Sequence, residues 1–461
     1  MRRQCPLEAP NPWSSTTAGP LLGPKTRQWQ VHCWFLRPRL GCRSQVHSLW
    51  KPQALVSASG HHGSAGWSAL ADTALGTADH HYREGSASLA LGSGFFRADS
   101  RPSRDCSVLL ARHQHRHAQG QLRWLDLMAG CGIRSLRWGL EALQERPERV
   151  ELWVNDGDPD RLPCLNSNLS DLPRPARVSS LAAEVLLGQA YLDGRFFDLI
   201  DLDAFGAPGA LIQPALQALR FEGLLLLAST DGRSPTGHDR AGAIRSLGAA
   251  ARVHPASWEL ALRHQLGLVA RQAWMLGRGI QPLLCFSEGR TFRVSVRMRR
   301  HLQPGEEHRL GLLARCEACG SQVVQILKNL TGWPSCCCPS GAGRWSVSGP
   351  LWIGPLQDLQ TLAALRGDPW LQQPGAISNR TKRLLERLEA DPGSPATVWA
   401  TDELARRLGG GGPPPLSQLV TAARQAGFQA YPSGVMAGQL RTDADLTVLL
   451  RLCADLRSEG T

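Results

Sequence analysis

The sequence predicts an α/β fold with a Rossmann-like parallel sheet, followed by a smaller α+β domain toward the C-terminus. Two observations lead to this prediction. From Gly85 to about residue 300, apolar strand-like runs alternate with helical patterns, as a parallel sheet with crossover helices requires. Early in that region, a strand breaks into a Gly-x-Gly turn that opens a helix. We therefore expect a tail at residues 1–80, the sheet domain at 81–305 and the second domain at 306–461.

The glycine turn is the first functional signal. Asp126-x-x-x-Gly130-x-Gly132 follows an apolar strand, so N–H groups at a helix N-terminus face a ligand and the Asp126 carboxylate can meet an amine. The next strand ends in Asp156, about 20 residues beyond the turn, where doubly wound folds place an acid on ribose hydroxyls. This pattern suits S-adenosylmethionine. A nicotinamide cofactor needs the same acid, but the third glycine of its fingerprint is missing.

The apolar run 197–202 leads into Asp203, Ala204, Phe205 and Gly206. A carboxylate followed by a small residue, an aromatic ring and a glycine is the layout of a site that holds a flat heterocycle beside a proton acceptor. The alternative is that the acids of this run only cap the end of a strand. The run contains three acids, Asp198, Asp201 and Asp203, at alternate or near-alternate positions just before Phe-Gly. This spacing favours the functional interpretation.

Several later segments have clear local periods. The pattern predicts helices at 211–219, 380–388 and 416–426, a buried strand at 224–228 and a Gly/Pro linker at 409–415. Residues 291–299 alternate strictly, with Arg293, Arg297 and Arg299 on one face. That basic face is either a phosphate contact or a solvated outer surface.

The cysteines predict a metal site. Thirteen cysteines without a secretory signal favour a reducing compartment, and we expect a cytoplasmic location. The cysteines that matter form two groups, Cys316-x-x-Cys319 and Cys336-Cys337-Cys338. Two ligands from each group would give a tetrahedral zinc site of Cys316, Cys319, Cys336 and Cys338. Cys336 and Cys338 are preferred to Cys337 because alternate side chains can point the same way. The alternative is reduced, metal-free cysteine.

The N-terminal 80 residues differ from the rest. Residues 1–71 hold eight Lys/Arg and a single acid, Glu8, and so carry +7 of the net charge of +12. This stretch is either an organellar transit peptide or a tail that never folds. The tail is favoured because the amphipathic arginine helix of a transit peptide is missing. No apolar run reaches 18 residues, so we expect no membrane association.

From about Glu84 to the C-terminus, the chain resembles the tRNA (guanine-N2-)-dimethyltransferase family, which methylates the guanosine at tRNA position 26. The resemblance depends on several ordered motifs, each of which is short. They are Ser103-Arg-Asp-Cys-Ser-Val108, Gly132-Ile-Arg134, Val154-Asn-Asp156, Asp201-Leu-Asp-Ala-Phe-Gly206, Ser229-Thr-Asp231, Gly349-Pro-Leu-Trp-Ile-Gly-Pro355 and Arg441-Thr-Asp-Ala444.

The resemblance implies a role for particular residues. By resemblance, Arg104 and Arg134 would contact the methyl donor, Asp156 its ribose, and Ala182 and Ala183 its adenine, and Asp203 would be the catalytic carboxylate. From the chemistry of the residues themselves, Phe205 can stack on the base, and Ala204 removes a ring that would otherwise shape the floor of the pocket. Guanine N2 is a poor nucleophile because its lone pair is delocalised into the ring. A carboxylate must therefore accept its hydrogen bond, aim it at the methyl group and take its proton.

Three family motifs differ here. The family's Asp-Pro-Phe-Gly reads Asp203-Ala-Phe-Gly206, its Phe-Tyr-Asn-Pro reads Phe95-Phe-Arg-Ala98, and its Asp-Ala reads Ala182-Ala183.

We thus expect an S-adenosylmethionine-dependent tRNA methyltransferase with a C-terminal RNA-binding domain that holds Zn²⁺. Its partner would be tRNA, with no membrane and no obligate protein partner. The alternatives are a catalytically silent tRNA-binding protein and an adenine-N6 methyltransferase. The latter is disfavoured because an Asn/Asp-Pro-Pro-aromatic element is absent. The sequence leaves open whether one or two methyl groups are added, and whether position 27 is also modified.

Overall fold

A seven-stranded mixed sheet organises the fold. The computed structural model describes residues 81–92, 94–336, 338, 343–409 and 411–459, all within one compact unit. The predictions about the N-terminal tail lie outside the described residues. The strands are β1 (His81–Glu84), β2 (Ala87–Ala90), β3 (Leu122–Asp126), β4 (Val150–Asn155), β5 (Arg177–Ser179), β6 (Phe197–Asp203), β7 (Leu219–Ser229), β8 (Gly279–Glu288), β9 (Thr291–Arg299), β10 (Leu310–Cys316), β11 (Gln322–Ile326), β12 (Trp345–Trp352), β13 (Val398–Ala400), β14 (Ala430–Pro432) and β15 (Gln439–Thr442).

Helices connect and cover these strands. They are α1 (Arg101–His117), α2 (Ile133–Arg137), α3 (Leu162–Asn168), α4 (Ala183–Leu192), α5 (Gly209–Ala218), α6 (Arg240–Leu247), α7 (Ser257–Met275), α8 (Leu359–Arg366), α9 (Asn379–Glu389), α10 (Thr401–Arg407), α11 (Leu416–Gln425) and α12 (Leu446–Glu459). The helices predicted at 211–219, 380–388 and 416–426 are confirmed as α5, α9 and α11. The strand predicted at 224–228 lies within β7. Among the described residues, none of the helices combines the length and the apolar character that a membrane span requires.

The strand order in the large sheet is β5-β4-β3-β6-β7-β9-β8. The first five strands are parallel, and β9 runs antiparallel to both of its neighbours. The chain moves outward from β3 to β5 and then returns to β6 on the other side of β3. This reversal makes the carboxyl ends of β3 and β6 the switch point, where open α/β sheets bind their ligands.

Both faces of the sheet are buried, which explains why its central strands are nearly continuous apolar runs. On one face, Ile200 and Leu225 belong to a core with Leu262 of α7. On the other, Leu199 and Leu224 belong to a core that includes side chains of α1, α8 and α9. The predicted α/β fold is therefore confirmed, with the difference that the sheet is mixed and not wholly parallel.

The C-terminal part contains two small antiparallel sheets, β11-β10-β12 and β13-β15-β14. Buried contacts cross the predicted boundary at 305/306. Arg112 of α1 donates to Asp368 over 2.9 Å, and Arg441 of β15 donates to Glu259 of α7 over 2.7 Å. The division into a catalytic and an RNA-binding domain stays a prediction.

Candidate active site

A cleft of about 520 Å³ opens at the switch point, within the usual size range of small-molecule sites. Most of the predicted site residues line it. They are Arg104, Asp126, Gly130, Arg134, Asp156, Asp203, Ala204 and Phe205. Ala182 and Ala183 lie at the start of α4 and are not among the lining residues, so their contact with an adenine stays a prediction.

The glycine turn after β3 needs both glycines. Gly130 and Gly132 have φ of +57° and +79°, a region that side chains rarely adopt. A Cβ on Gly132 would also lie 3.0 Å from Leu165. The Gly130 N–H donates to Asp156 Oδ2 over 2.8 Å, so the acid after β4 holds the turn from the neighbouring strand.

Three acids share one face of the sheet at this edge. Asp126 pairs in register with Asp201, and Asp203 follows Asp201 on the same face because side chains alternate along a strand. Burial raises the pKa of Asp126 to about 7, with Arg134 opposing the rise. Ser135 Oγ donates to Asp126 Oδ2 over 2.7 Å. Asp126 is thus poised to change charge near neutral pH.

Two arginines hold the Asp203 carboxylate. Arg134 Nη2 donates to Asp203 Oδ2 over 2.7 Å, while its Nη1 donates to Asp201 Oδ2 over 2.5 Å. Arg293 Nη1 lies 3.0 Å from the same Asp203 oxygen. Burial raises the pKa of Asp203, but the charges of Arg293 and Arg134 outweigh it and bring the pKa below its ordinary value.

The second oxygen of Asp203 is available. No described residue donates a hydrogen bond to Oδ1, and the side chain is 29% exposed at the cleft. Burial instead raises the pKa of its neighbour Asp201, although Arg134 opposes this. Asp203 therefore presents an ionised carboxylate with a free acceptor oxygen to the cleft.

Two aromatic rings stand at the mouth of the cleft. Phe95 and Phe205 are 68% and 73% exposed, and their centroids lie 5.2 Å apart in a T-shaped arrangement. Apolar rings in such a position suit stacking on a nucleobase. The loop behind Phe205 is tied to the end of β7, because Ser229 Oγ donates to the Gly206 carbonyl over 2.9 Å and the Gly206 N–H donates to Thr230 Oγ1 over 2.7 Å. Ala204 is buried beneath it.

Arg104 lines the cleft but is already engaged. Its Nε and Nη2 donate to the Glu84 carboxylate over 2.8 and 2.6 Å, and Nη1 donates to the Arg97 carbonyl over 3.1 Å. The side chain thus fixes the wall that carries Phe95 and Arg97. Its contact with a methyl donor stays a prediction.

Arg293 is the residue whose role the sequence reasoning missed. The alternation of β9 indicated a basic face that meets phosphate or solvent, and for Arg293 both interpretations are wrong because the residue is 7% exposed. The reason is that α1 covers this part of the face, because Ser103, Cys106 and Ser107 of α1 line the same small cavity as Arg293. Arg297 and Arg299 of that face are half-buried. Alternation by itself carried no signal that a helix covers this part of β9.

The four predicted zinc ligands come together. The Sγ atoms of Cys316, Cys319, Cys336 and Cys338 all lie within 4.8 Å of one another. Four thiolates at about 2.3 Å from one zinc ion are about 3.8 Å apart, and the Cys316–Cys338 distance is 3.7 Å. Cys337 lies outside the described residues, so its exclusion stays a prediction.

Comparison with known proteins finds relatives that share one family name. The sequence profile of the N2,N2-dimethylguanosine tRNA methyltransferase family matches residues 91–454. A tRNA (guanine(26)-N(2))-dimethyltransferase from Methanoregula boonei is 28% identical over 360 residues, covering 77% of this chain and 89% of the relative. The Homo sapiens enzyme of the same name is 27% identical and covers 71% of this chain and 52% of its own.

A solved structure has the same fold. The complex of Trm1 from Pyrococcus horikoshii with S-adenosyl-L-methionine superposes with a TM-score of 0.66 at 22% identity. The match covers 81% of this chain and 99% of that one.

Proposed function

The chain belongs to the N2,N2-dimethylguanosine tRNA methyltransferase family and is an S-adenosylmethionine-dependent tRNA guanine-N2 methyltransferase; we propose that it acts on the guanosine at tRNA position 26, with Asp203 as acceptor for the target amine. The observation that carries the proposal is the free Oδ1 of an ionised Asp203, which faces the cleft beside the glycine turn.

The residues of the cleft fit the methyl donor. Asp126 offers a buried carboxylate to the donor's ammonium group, and Asp156 offers an acceptor to its ribose. A Cβ on Gly130 would meet no atom within 4 Å, so the backbone of the turn is open to a close ligand. When bound, S-adenosylmethionine supplies an electrophilic methyl group.

Asp203 orients the nucleophile in this mechanism. Its Oδ1 accepts one N–H of the exocyclic amine, while Arg134 and Arg293 fix the carboxylate through Oδ2. Phe95 and Phe205 stack against the base, which must leave the helical stack to reach the cleft. Positioning of this kind supplies much of the rate enhancement in a bimolecular transfer.

The order of the proton step follows from the charge of Asp203. A carboxylate paired with two arginines is a weak base, so it does not deprotonate the neutral amine before transfer. The methylated amine is cationic and strongly acidic. Asp203 Oδ1 can therefore accept its proton after the new C–N bond has formed.

The cysteine cluster fits a structural zinc ion. Cys316, Cys319, Cys336 and Cys338 supply four thiolates and leave no open position for a substrate. A Cβ on Gly343 would lie within contact distance of the Cys316 and Cys336 sulfurs, so the chain packs tightly around the cluster. Zinc would fasten the loop after β11 to the end of β10.

Nucleoside mass analysis tests the proposal. The purified protein is incubated with methyl-labelled donor and an unmodified tRNA transcript, and we expect N2-methylated guanosine at position 26. A transcript with adenosine at position 26 is the control, and a change at position 27 tests the neighbouring site. Label on another nucleoside would refute the assignment. Binding without transfer would identify a catalytically silent protein.

A further inference from the structure

A row of three arginines lies on one flank of α9. At 100° per residue, Arg380, Arg383 and Arg387 fall within an arc of about 60°, on the edge of the helix surface that buries Leu384 and Leu388. All three residues are exposed. We call these three residues the α9 arginine row.

The row begins at the rim of the cleft. Arg380 Nη1 lies 3.0 Å from Asp99, in the short turn that follows the lining residues Phe95 and Arg97. Arg101 in the first turn of α1 donates to the Gly375 carbonyl just before α9 over 2.7 Å. The N-terminal ends of both helices therefore adjoin the opening through which a base enters.

The row ends about 10 Å away along the helix axis, at the C-terminal part of the chain. There Arg387 Nε donates to the Gly434 carbonyl over 2.8 Å. Among the described residues, no carboxylate lies within 4 Å of the side-chain nitrogens of Arg383 or Arg387, whereas Arg380 has Asp99. The middle and far end of the row thus carry uncompensated positive charge.

We propose that the α9 arginine row binds the phosphate backbone of the tRNA strand next to the target guanosine. Its length matches the axial rise of about three stacked nucleotides, and guanidinium groups bind phosphate well because their donors are planar and permanently charged. Base chemistry at Asp203 and backbone binding at α9 then act on one strand. The proposal rests on the proposed function, because it assumes that a tRNA guanosine enters this cleft.

The test compares Arg383→Gln with Arg195→Gln. Arg195 is half exposed and lies just before β6, at the opposite end of the strand from the cleft, and its substitution removes the same charge. Binding of tRNA is measured by fluorescence anisotropy between 50 and 200 mM salt, and donor binding by calorimetry. We expect Arg383→Gln to weaken tRNA binding about three- to tenfold and to lower the salt slope by about 0.7 to 0.9. Arg195→Gln should change neither the affinity for tRNA nor the salt slope. Arg383→Lys should keep most of the wild-type affinity for tRNA.

If Arg383→Gln and Arg195→Gln bind tRNA equally well and the wild-type protein methylates tRNA, the proposed phosphate contact of the α9 arginine row is wrong. The proposed function is then unaffected. A wild-type protein that binds tRNA through Arg383 but transfers no methyl group would support the row and refute the proposed activity. A wild-type protein without affinity for tRNA would overturn both.

Discussion

Arg293 reaches Asp203 across one intervening strand. Asp203 of β6 is in register with Ala228 of β7, and Ala228 is in register with Arg293 of β9. The two strand spacings add to about 9.5 Å, which a long arginine spans above the small Ala228 to place Nη1 3.0 Å from the carboxylate. A carboxylate and a guanidinium from separate strands thus form one ion pair at the cleft.

We expect Asp203→Asn to lower the methylation rate by at least about a hundredfold, because the amide is a weaker acceptor and cannot take the proton. Donor affinity should stay within about tenfold, since the sulfonium is not the partner of this carboxylate. Asp198→Asn is the matched control, because Asp198 lies on the same strand and binds the Arg123 N–H outside the cleft. Single-turnover methylation and calorimetry measure the two effects. An active Asp203→Asn variant would rule out the assigned acceptor.

Arg293→Gln should make methylation sensitive to acid. In the native protein Arg293 and Arg134 hold the pKa of Asp203 below its ordinary value, so Asp203 stays charged from pH 5 upward. Loss of Arg293 raises that pKa, and the acidic limb of the kcat profile moves to higher pH. The rate at saturating donor should fall most at pH 5 to 6, with Arg293→Lys less affected. Arg297→Gln, on the same strand and face, is the control, and a profile identical to wild type would contradict the role of Arg293.

Donor binding should weaken as pH falls through 7. The pKa of Asp126 is raised to about 7 by burial, so below that pH the free protein holds a proton that must leave before the carboxylate can bind an ammonium group. The dissociation constant should rise by up to about tenfold per pH unit on the acidic side. Asp126→Asn should bind weakly with little pH dependence, whereas Asp160→Asn, an exposed acid after β4, should behave as wild type. Calorimetry at pH 6 and pH 8 measures the affinity for the donor. Equal wild-type affinities at the two pH values would contradict a contact between Asp126 and the ammonium group of the donor.

The purified protein should contain about one zinc ion per chain, and Cys319→Ser should release it. We expect the loss to destabilise β10 and β11 more than the large sheet, since Cys316 ends β10 and Cys319 lies just before β11. Elemental analysis and hydrogen exchange measure both effects. Cys164→Ser, which alters a half-buried thiol beside Asn168, should keep its metal. Metal-free protein from a chelator-free preparation would refute the site.

Local patterns in the sequence were enough to predict the α/β fold and the glycine turn. They also identified the acids Asp126, Asp156 and Asp203 as candidate site residues. They were enough because strand and helix periods are local, and because parallel strands bring their carboxyl ends to one edge. The cysteine spacing likewise indicated four sulfurs that the structure places within 4.8 Å of one another.

The tertiary structure alone decided which charges meet. Asp203 and Arg293 are 90 positions apart in the sequence. Glu84, in the β1–β2 hairpin, accepts hydrogen bonds from the Arg104 guanidinium of α1, and no sequence pattern related that hairpin to α1. The position of a strand within a sheet depends on pairing with distant segments, and alternation along β9 is the same at an edge as in the interior. The sequence therefore determined where the acid stands, whereas the packing of the sheet determined that it stays ionised.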